Sequence, residues 1–294
     1  MGTMKRSLLA VPLALMLSVA AGCAPSDDSD DAKASESTAS ASAGGECAVD
    51  QLPLTTSGKL TIATDDPAFE PWFTDNDPSN GEGFESAVAY AVAEEMGFTR
   101  DQVTWTKVPF NVSYQPGKKA FDFDINQISI TTERQKAVDF SKPYYSAAQA
   151  IIVREDSEFA DASSLADFRT ASLGAQIGTT SLKAIESLET EDAPLVYDDT
   201  TKAALALANG QVDGIVADLP SAFYLVAAEL EDATIAGQFE FDGGEPEQFG
   251  LLLQKDSELT PCVDQAVTAL TEDGTLADLE EKWLSASQDV PVLK

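Results

Sequence analysis

The sequence predicts an α/β fold with mostly parallel sheets. Short strand patterns alternate with amphipathic helical patterns along most of the chain, which is typical of sheets covered by helices. The chain has 294 residues, and 44% of them are hydrophobic, so it can bury more than one core. We therefore predict that the part of the chain that begins at Cys47 folds into two lobes of moderate size.

The predicted strands and helices follow one another in a regular order. Strands are predicted at residues 59–64, 103–108, 150–153, 195–197, 212–217 and 249–253. Helices are predicted at residues 83–97, 181–188 and 200–209, from Pro220 onward, and twice near the C-terminus. Gly97 and Gly210 are natural helix ends, and Pro220 is a natural helix start.

The pattern of the first 46 residues predicts that the protein is exported and then tethered to the membrane. Lys5 and Arg6 precede an apolar run over residues 7–22, which predicts a secretory signal peptide over residues 1–22. Small residues lead into Cys23, and this ending resembles the lipobox of bacterial lipoproteins, which implies a lipid anchor on Cys23 at the cell membrane. Ordinary signal cleavage is the alternative. Residues 23–46 are small and polar, which predicts a flexible linker.

Two cysteines remain in the predicted folded part. Cys47 lies at its start and Cys262 lies close to its end. In an exported protein, an even number of cysteines is most simply explained by a disulfide. Two unpaired buried thiols are the alternative, because the sequence does not give the distance between them.

Composition excludes several classes of function. The chain has 18 basic and 50 acidic residues, a net charge of −32, which repels the phosphates of nucleic acids. It has no histidine and three cysteines, which excludes Ser-His-Asp catalysis and the usual zinc and haem sites. No nucleotide loop or nucleophile motif is present, so no cofactor, metal or catalytic residue is expected.

Four segments in one order point to a known family. They are GKLTIATDDPAFEPWF from residue 58, GFESAVAYAVAEEMG from residue 83, NQISITTER from residue 126 and DGTLADLEEKWL from residue 273. Together they resemble the extracytoplasmic solute-binding proteins of amino-acid ABC transporters, in the polar amino-acid, type 3 family. The resemblance implies two α/β lobes, joined by a two-strand hinge, that close on a ligand in the cleft between them.

The resemblance also implies an organisation and a function. The first lobe would comprise residues 47–147 and 249–294, and the second would comprise residues 148–248. The protein would be a monomer without enzymatic activity that captures a free, polar amino acid outside the cytoplasm. It would deliver this ligand to a membrane permease driven by a cytoplasmic ATPase.

Matching positions imply the ligand contacts. Arg134, Ser129 and Thr180 would bind the α-carboxylate of the amino acid, because guanidinium groups and helix N-termini suit anions. Asp218 and Gln127 would bind the α-ammonium. Phe69, Asp66 and Trp72 would contact the ligand side chain, and the choice between Asp65 and Asp66 stays open.

Structural alternatives exist for four of these residues. Arg134 could be a solvated surface charge, and Phe69 could be ordinary core. Thr180 and Asp218 each precede a predicted helix, so each could be a helix N-cap. Two other functions also stay open: a ligand-sensing accessory protein, and a dehydratase-type enzyme, for which Glu70 would be the candidate acid or base.

Overall fold

The computed structural model describes residues 47–241, 247–284 and 290–294. The predicted signal peptide, the predicted lipidated Cys23 and the predicted linker up to residue 46 lie outside the described residues. No helix in the described ranges is both long enough and apolar enough to cross a bilayer.

Two five-stranded sheets organise the described chain. The first sheet is formed by β1 (Leu60–Thr64), β2 (Val103–Lys107), β3 (Phe123–Asp124), β4 (Val138–Ala147) and β10 (Glu247–Gln254). The second is formed by β5 (Gln149–Arg154), β6 (Leu173–Gln176), β7 (Leu195–Tyr197), β8 (Gly214–Asp218) and β9 (Ala233–Phe239). The strand order is β2-β1-β3-β10-β4 in the first sheet and β7-β6-β8-β5-β9 in the second.

Helices cover both sheets and define the two lobes. The first lobe contains α1 (Phe84–Glu95), α2 (Phe110–Ser113), α6 (Thr260–Glu272) and α7 (Thr275–Leu284). The second contains α3 (Thr180–Ser187), α4 (Thr200–Ala208) and α5 (Leu219–Tyr224), which continues as a π-helical turn over Leu225–Glu229. The α/β architecture predicted from the sequence is therefore confirmed.

The prediction of mostly parallel sheets is wrong. In each sheet two strand pairs are parallel and two are antiparallel. The antiparallel pairs involve the strands that flank the crossings between sheets. The chain leaves the first sheet after β4, passes through Ala148 and enters the second sheet in β5; it returns between β9 and β10.

The C-terminal residues lie on the second lobe. Val292 bridges Gln238 of β9, and Leu293 is buried in the second-lobe core. Gly237 allows this contact, because a Cβ atom there would lie 2.5 Å from the Leu293 side chain. The prediction that residues 249–294 belong wholly to the first lobe is therefore wrong for residues 290–294.

A disulfide joins Cys47 to Cys262 in α6, as predicted. The two Cα atoms are 5.5 Å apart, and the cysteines are separated by 215 positions. Both side chains pack on the apolar core of the first lobe. The bond therefore fixes the start of the described chain to a helix near its end.

Removing this bond should destabilise the protein. A cross-link over such a long loop restricts the unfolded chain strongly, so the Cys47→Ser, Cys262→Ser double variant should lose about 2–5 kcal/mol of unfolding free energy. Urea unfolding of the variant and of the oxidised wild type measures the difference. Equal midpoints and slopes for the two proteins would contradict this expectation.

Candidate functional site

A cavity lies between the lobes, at the ends of strands from both sheets. Four of the eight predicted ligand-binding residues line it: Phe69 and Gln127 from the first lobe, and Thr180 and Asp218 from the second. Asp65 and Glu70 also line it. Among the described residues that line the cavity, the charged ones are all acidic.

Asp218 ends strand β8 and faces the cavity. It occupies the position before α5, but its side chain makes no capping hydrogen bond, so the helix-cap alternative is wrong. One carboxylate oxygen accepts a hydrogen bond of 2.7 Å from Nε2 of Gln149. Burial raises the pKa of Asp218 well above its usual value, and the negative charge of Glu247 raises it further.

Gln149 connects Asp218 to the second crossing between the lobes. The same Nε2 atom donates to Oε2 of Glu247, also at 2.7 Å. Oε1 of Gln149 accepts from the Ser181 hydroxyl at 2.6 Å, which fixes the orientation of the amide. Sequence reasoning missed Gln149 and Glu247, because neither belongs to a motif.

The start of α3 offers an anion-binding surface. Thr179 is the N-cap, and its hydroxyl accepts from the amide of Leu182, so the cap alternative for Thr180 is wrong. Thr180 is the first helical residue, and its Oγ1 lies 3.2 Å from Oγ of Ser129 in the first lobe. Free amides and the helix dipole favour an anion there.

Arg134 is buried beneath the cleft rather than solvated at the surface. Its side chain is 7% exposed and lies over the rings of Tyr114 and Phe110, at 4.8 and 5.4 Å from their centroids. It donates to the carbonyl oxygens of Ser129 at 2.8 Å and of Gly178 at 3.0 Å. The surface-charge alternative is wrong. Arg134 joins the two lobes in this structure, and its role toward a carboxylate stays a prediction.

Asp65, not Asp66, faces the cavity. Asp66 is exposed and pairs with Lys107 at 2.9 Å, so the assignment of Asp66 to the ligand side chain is wrong. Asp65 accepts hydrogen bonds from the amides of Asp66 and Phe110, which hold its carboxylate in place. Burial raises the pKa of Asp65.

Trp72 lies in the first-lobe core and not on the cavity wall. It is fully buried and packs edge-on against Phe84, Tyr145 and Phe249. Its Nε1 donates to the hydroxyl of Ser221, a cavity residue of the second lobe, at 2.8 Å. The assignment of Trp72 to direct ligand contact is therefore wrong, and Trp72 reaches the cavity only through Ser221.

A buried glutamate fixes Gln127. Gln127 has a positive φ of 48°, which is unusual for a residue with a side chain. Glu85, in the first turn of α1, accepts from the backbone amide of Gln127 at 2.6 Å and from its side-chain amide. The Tyr144 hydroxyl also donates to Glu85. Burial raises the pKa of Glu85 to about 7, although these three hydrogen bonds oppose the change.

The comparisons with known proteins agree with this architecture. Residues 60–286 match the model of the bacterial extracellular solute-binding proteins, family 3. This chain belongs to that family.

Two of the proteins similar to this chain are named as arginine-binding proteins. The ABC transporter arginine-binding protein 1 of Escherichia coli (strain K12) is 27% identical over 208 residues, which covers 68% of this chain and 81% of the relative. An ancestral arginine-binding protein bound to arginine is 31% identical with a TM-score of 0.64, covering 77% of this chain and 98% of that chain.

A further solved structure bears on enzymatic activity. It is the ancestral amino acid-binding protein AncCDT-1, described as a precursor of cyclohexadienyl dehydratase. This structure is 27% identical with a TM-score of 0.64, covering 77% of this chain and 95% of that chain.

Glu85 should make stability depend on pH. A carboxyl group whose pKa is raised by folding stabilises the native state below its unfolded pKa, and this contribution is lost as the pH rises through the folded pKa. Relative to Glu85→Gln, the wild type should lose about 2–3 kcal/mol between pH 4.5 and 7.

Urea unfolding of both proteins across this range measures the difference. Glu94→Gln, at an exposed position of the same helix, is the matched control and should differ from the wild type by a constant amount. A constant difference for Glu85→Gln as well would show that burial does not raise its pKa.

Proposed function

We propose that this protein captures a free amino acid with a positively charged side chain in the cavity between its lobes. The observation that carries the proposal is the charge of the cavity: Asp65, Glu70 and Asp218 line it, and no lysine or arginine is among its described lining residues. Buried carboxylates are costly without a cation, and a cationic ligand supplies one. The names of the arginine-binding relatives support the same class.

The arrangement of the cavity suggests one orientation for the ligand. The α-ammonium would bind Asp218, and the α-carboxylate would bind the start of α3 near Thr180 and Ser129, with Arg134 behind. The side chain would extend along Phe69 toward Asp65 and Glu70. Burying an ion is favourable only when such partners replace its water, and this orientation gives each charged group an opposite charge or a hydrogen-bond donor.

Closure of the lobes would trap the ligand. Besides the Ser129–Thr180, Arg134–Gly178 and Trp72–Ser221 contacts, Lys183 of the second lobe pairs with Glu133 of the first at 2.6 Å. These contacts form only when the lobes meet, so they favour the closed state. The predicted segments 47–147, 148–248 and 249–284 would then move as two bodies about the crossings, with residues 290–294 on the second lobe.

The place of the protein in the cell follows from the same proposal. A monomer anchored to the outer face of the cell membrane by lipid on Cys23 would deliver the amino acid to an ABC permease, whose cytoplasmic ATPase drives import. The basic and apolar residues of the predicted signal peptide and the small residues before Cys23 support this location. The ligand would leave chemically unchanged.

Thermal unfolding with added amino acids tests the proposal. A ligand that binds only the native state at 100 times its dissociation constant adds about 2.7 kcal/mol of stability. L-arginine or L-lysine should raise the midpoint, and L-glutamate should not. Asp65→Asn should weaken arginine binding at least about 30-fold, because a charge loses its partner.

Asp66→Asn is the matched control, since it removes the neighbouring acid that points to solvent. It should bind arginine as the wild type does. No increase in the midpoint with any amino acid would refute the proposal. An increase with acidic or neutral amino acids alone would refute the cationic class, and conversion of the bound amino acid, measured by mass spectrometry, would favour the enzyme alternative.

A further inference from the structure

Two carboxylates meet at the crossings between the lobes, and only one of them faces the cavity. Asp218 and Glu247 each accept a hydrogen bond of 2.7 Å from the same nitrogen of Gln149, so their bonded oxygens are at most twice that distance apart. Glu247 lies at the start of β10, outside the described cavity lining. Its Oε1 is buried and has no hydrogen-bond partner among the residues that the structure describes.

The bridge through Gln149 fixes this pair. Gln149 is fully buried, and its two amide hydrogens are both used, one by each carboxylate. The hydroxyl of Ser181 holds the other end of the amide. Because neither carboxylate can move away without losing this bond, each acts on the other across a short and poorly solvated distance.

The positive charge near the pair is insufficient for two carboxylates. The charges that act on Asp218 include those of the acids Glu247 and Glu85 and of the cation Arg134, and Asp218 in turn acts on the phenol of Tyr145. The charge of Glu247 also acts on Arg134, whose guanidinium donates its hydrogen bonds to the carbonyl oxygens of Ser129 and Gly178. An ionised Asp218 therefore lacks a cation of its own, and either a proton bound to its carboxylate or the cationic group of a ligand can neutralise it.

We propose that Asp218, which Gln149 holds beside Glu247, carries a proton in the empty protein and exchanges it for the cationic group of the ligand. Glu247 is in this account a positioning residue that acts through Asp218. The released proton passes to solvent. This inference rests on the proposed function, because it assigns the cationic group of a bound amino acid to Asp218.

Exchange of a proton for a ligand makes affinity depend on pH. Below the pH at which Asp218 loses its proton, the wild type should bind L-arginine up to about tenfold more weakly for each unit of acidification. Glu247→Gln keeps an oxygen acceptor for Gln149 but removes one charge, so Asp218 ionises more easily. The variant should bind arginine at least about threefold more tightly than the wild type at pH 5.5 and more weakly at pH 8.5.

Isothermal titration calorimetry with L-arginine at pH 5.5, 7.0 and 8.5 tests the inference. If thermal unfolding selects another amino acid, that amino acid replaces arginine. Glu240→Gln is the matched control: Glu240 interacts electrostatically with Glu247, but it is exposed and has no bond to Gln149. Because solvent screens an exposed charge, this variant should follow the wild type at every pH. Titrations in two buffers of different ionisation enthalpy count the protons released.

The outcomes separate this inference from the proposed function. Release of up to about one proton per ligand in the wild type, and the crossover of affinities in Glu247→Gln, are expected. Tight binding at pH 5.5 without proton release would overturn the inference and leave the proposed function intact, even if Glu247→Gln failed to fold. Parallel pH profiles for the two proteins would also overturn it. Absence of binding for every amino acid would refute both.

Discussion

The hydrogen bonds from Gln149 to Asp218 and Glu247 lie where the chain crosses between its two sheets, and the candidate site is built around them. Gln149 begins β5, Asp218 ends β8 and Glu247 begins β10, so one amide group links both crossings to the cavity. The amide satisfies one oxygen of each carboxylate without neutralising either charge. A positively charged group of a ligand can therefore still stabilise the site by neutralising this negative charge.

The remaining contacts around the cavity orient groups rather than neutralise them. Glu85 fixes the backbone of Gln127, two amides hold Asp65, and Ser221 holds the indole of Trp72. Each of these side chains is fixed by a partner outside the cavity lining or on the opposite lobe. Such preorganisation reduces the ordering cost of ligand binding.

The elements with strong local signals could be predicted from the sequence. Helix α1 ends before Gly97, α5 contains Pro220 near its start, and β7 spans the predicted residues. Strands β4 and β9 were missed, because their mixed polar and apolar residues show no clear period, and antiparallel pairing depends on partners far along the chain. The C-terminal contact of Leu293 likewise depends on Gly237, which is distant in sequence.

The residues of the candidate site, too, could be predicted from the sequence only in part. Phe69, Gln127, Thr180 and Asp218, which the family resemblance implies as ligand contacts, line the cavity, and their contact with a ligand stays a prediction. The local sequence could not show which of two adjacent aspartates turns inward; this depends on the amide of Phe110 and on Lys107. Glu85, Gln149 and Glu247 could not be predicted, because their partners are 32 to 98 positions away.

The central claim is that the acidic cavity selects a cation. Calorimetric titration of the wild type with L-arginine and with L-citrulline tests it most directly, since citrulline has nearly the same shape but a neutral side chain. The account predicts that arginine binds at least about 30-fold more tightly, the usual loss when a buried charge has no partner. Equal affinities for the two ligands would contradict it.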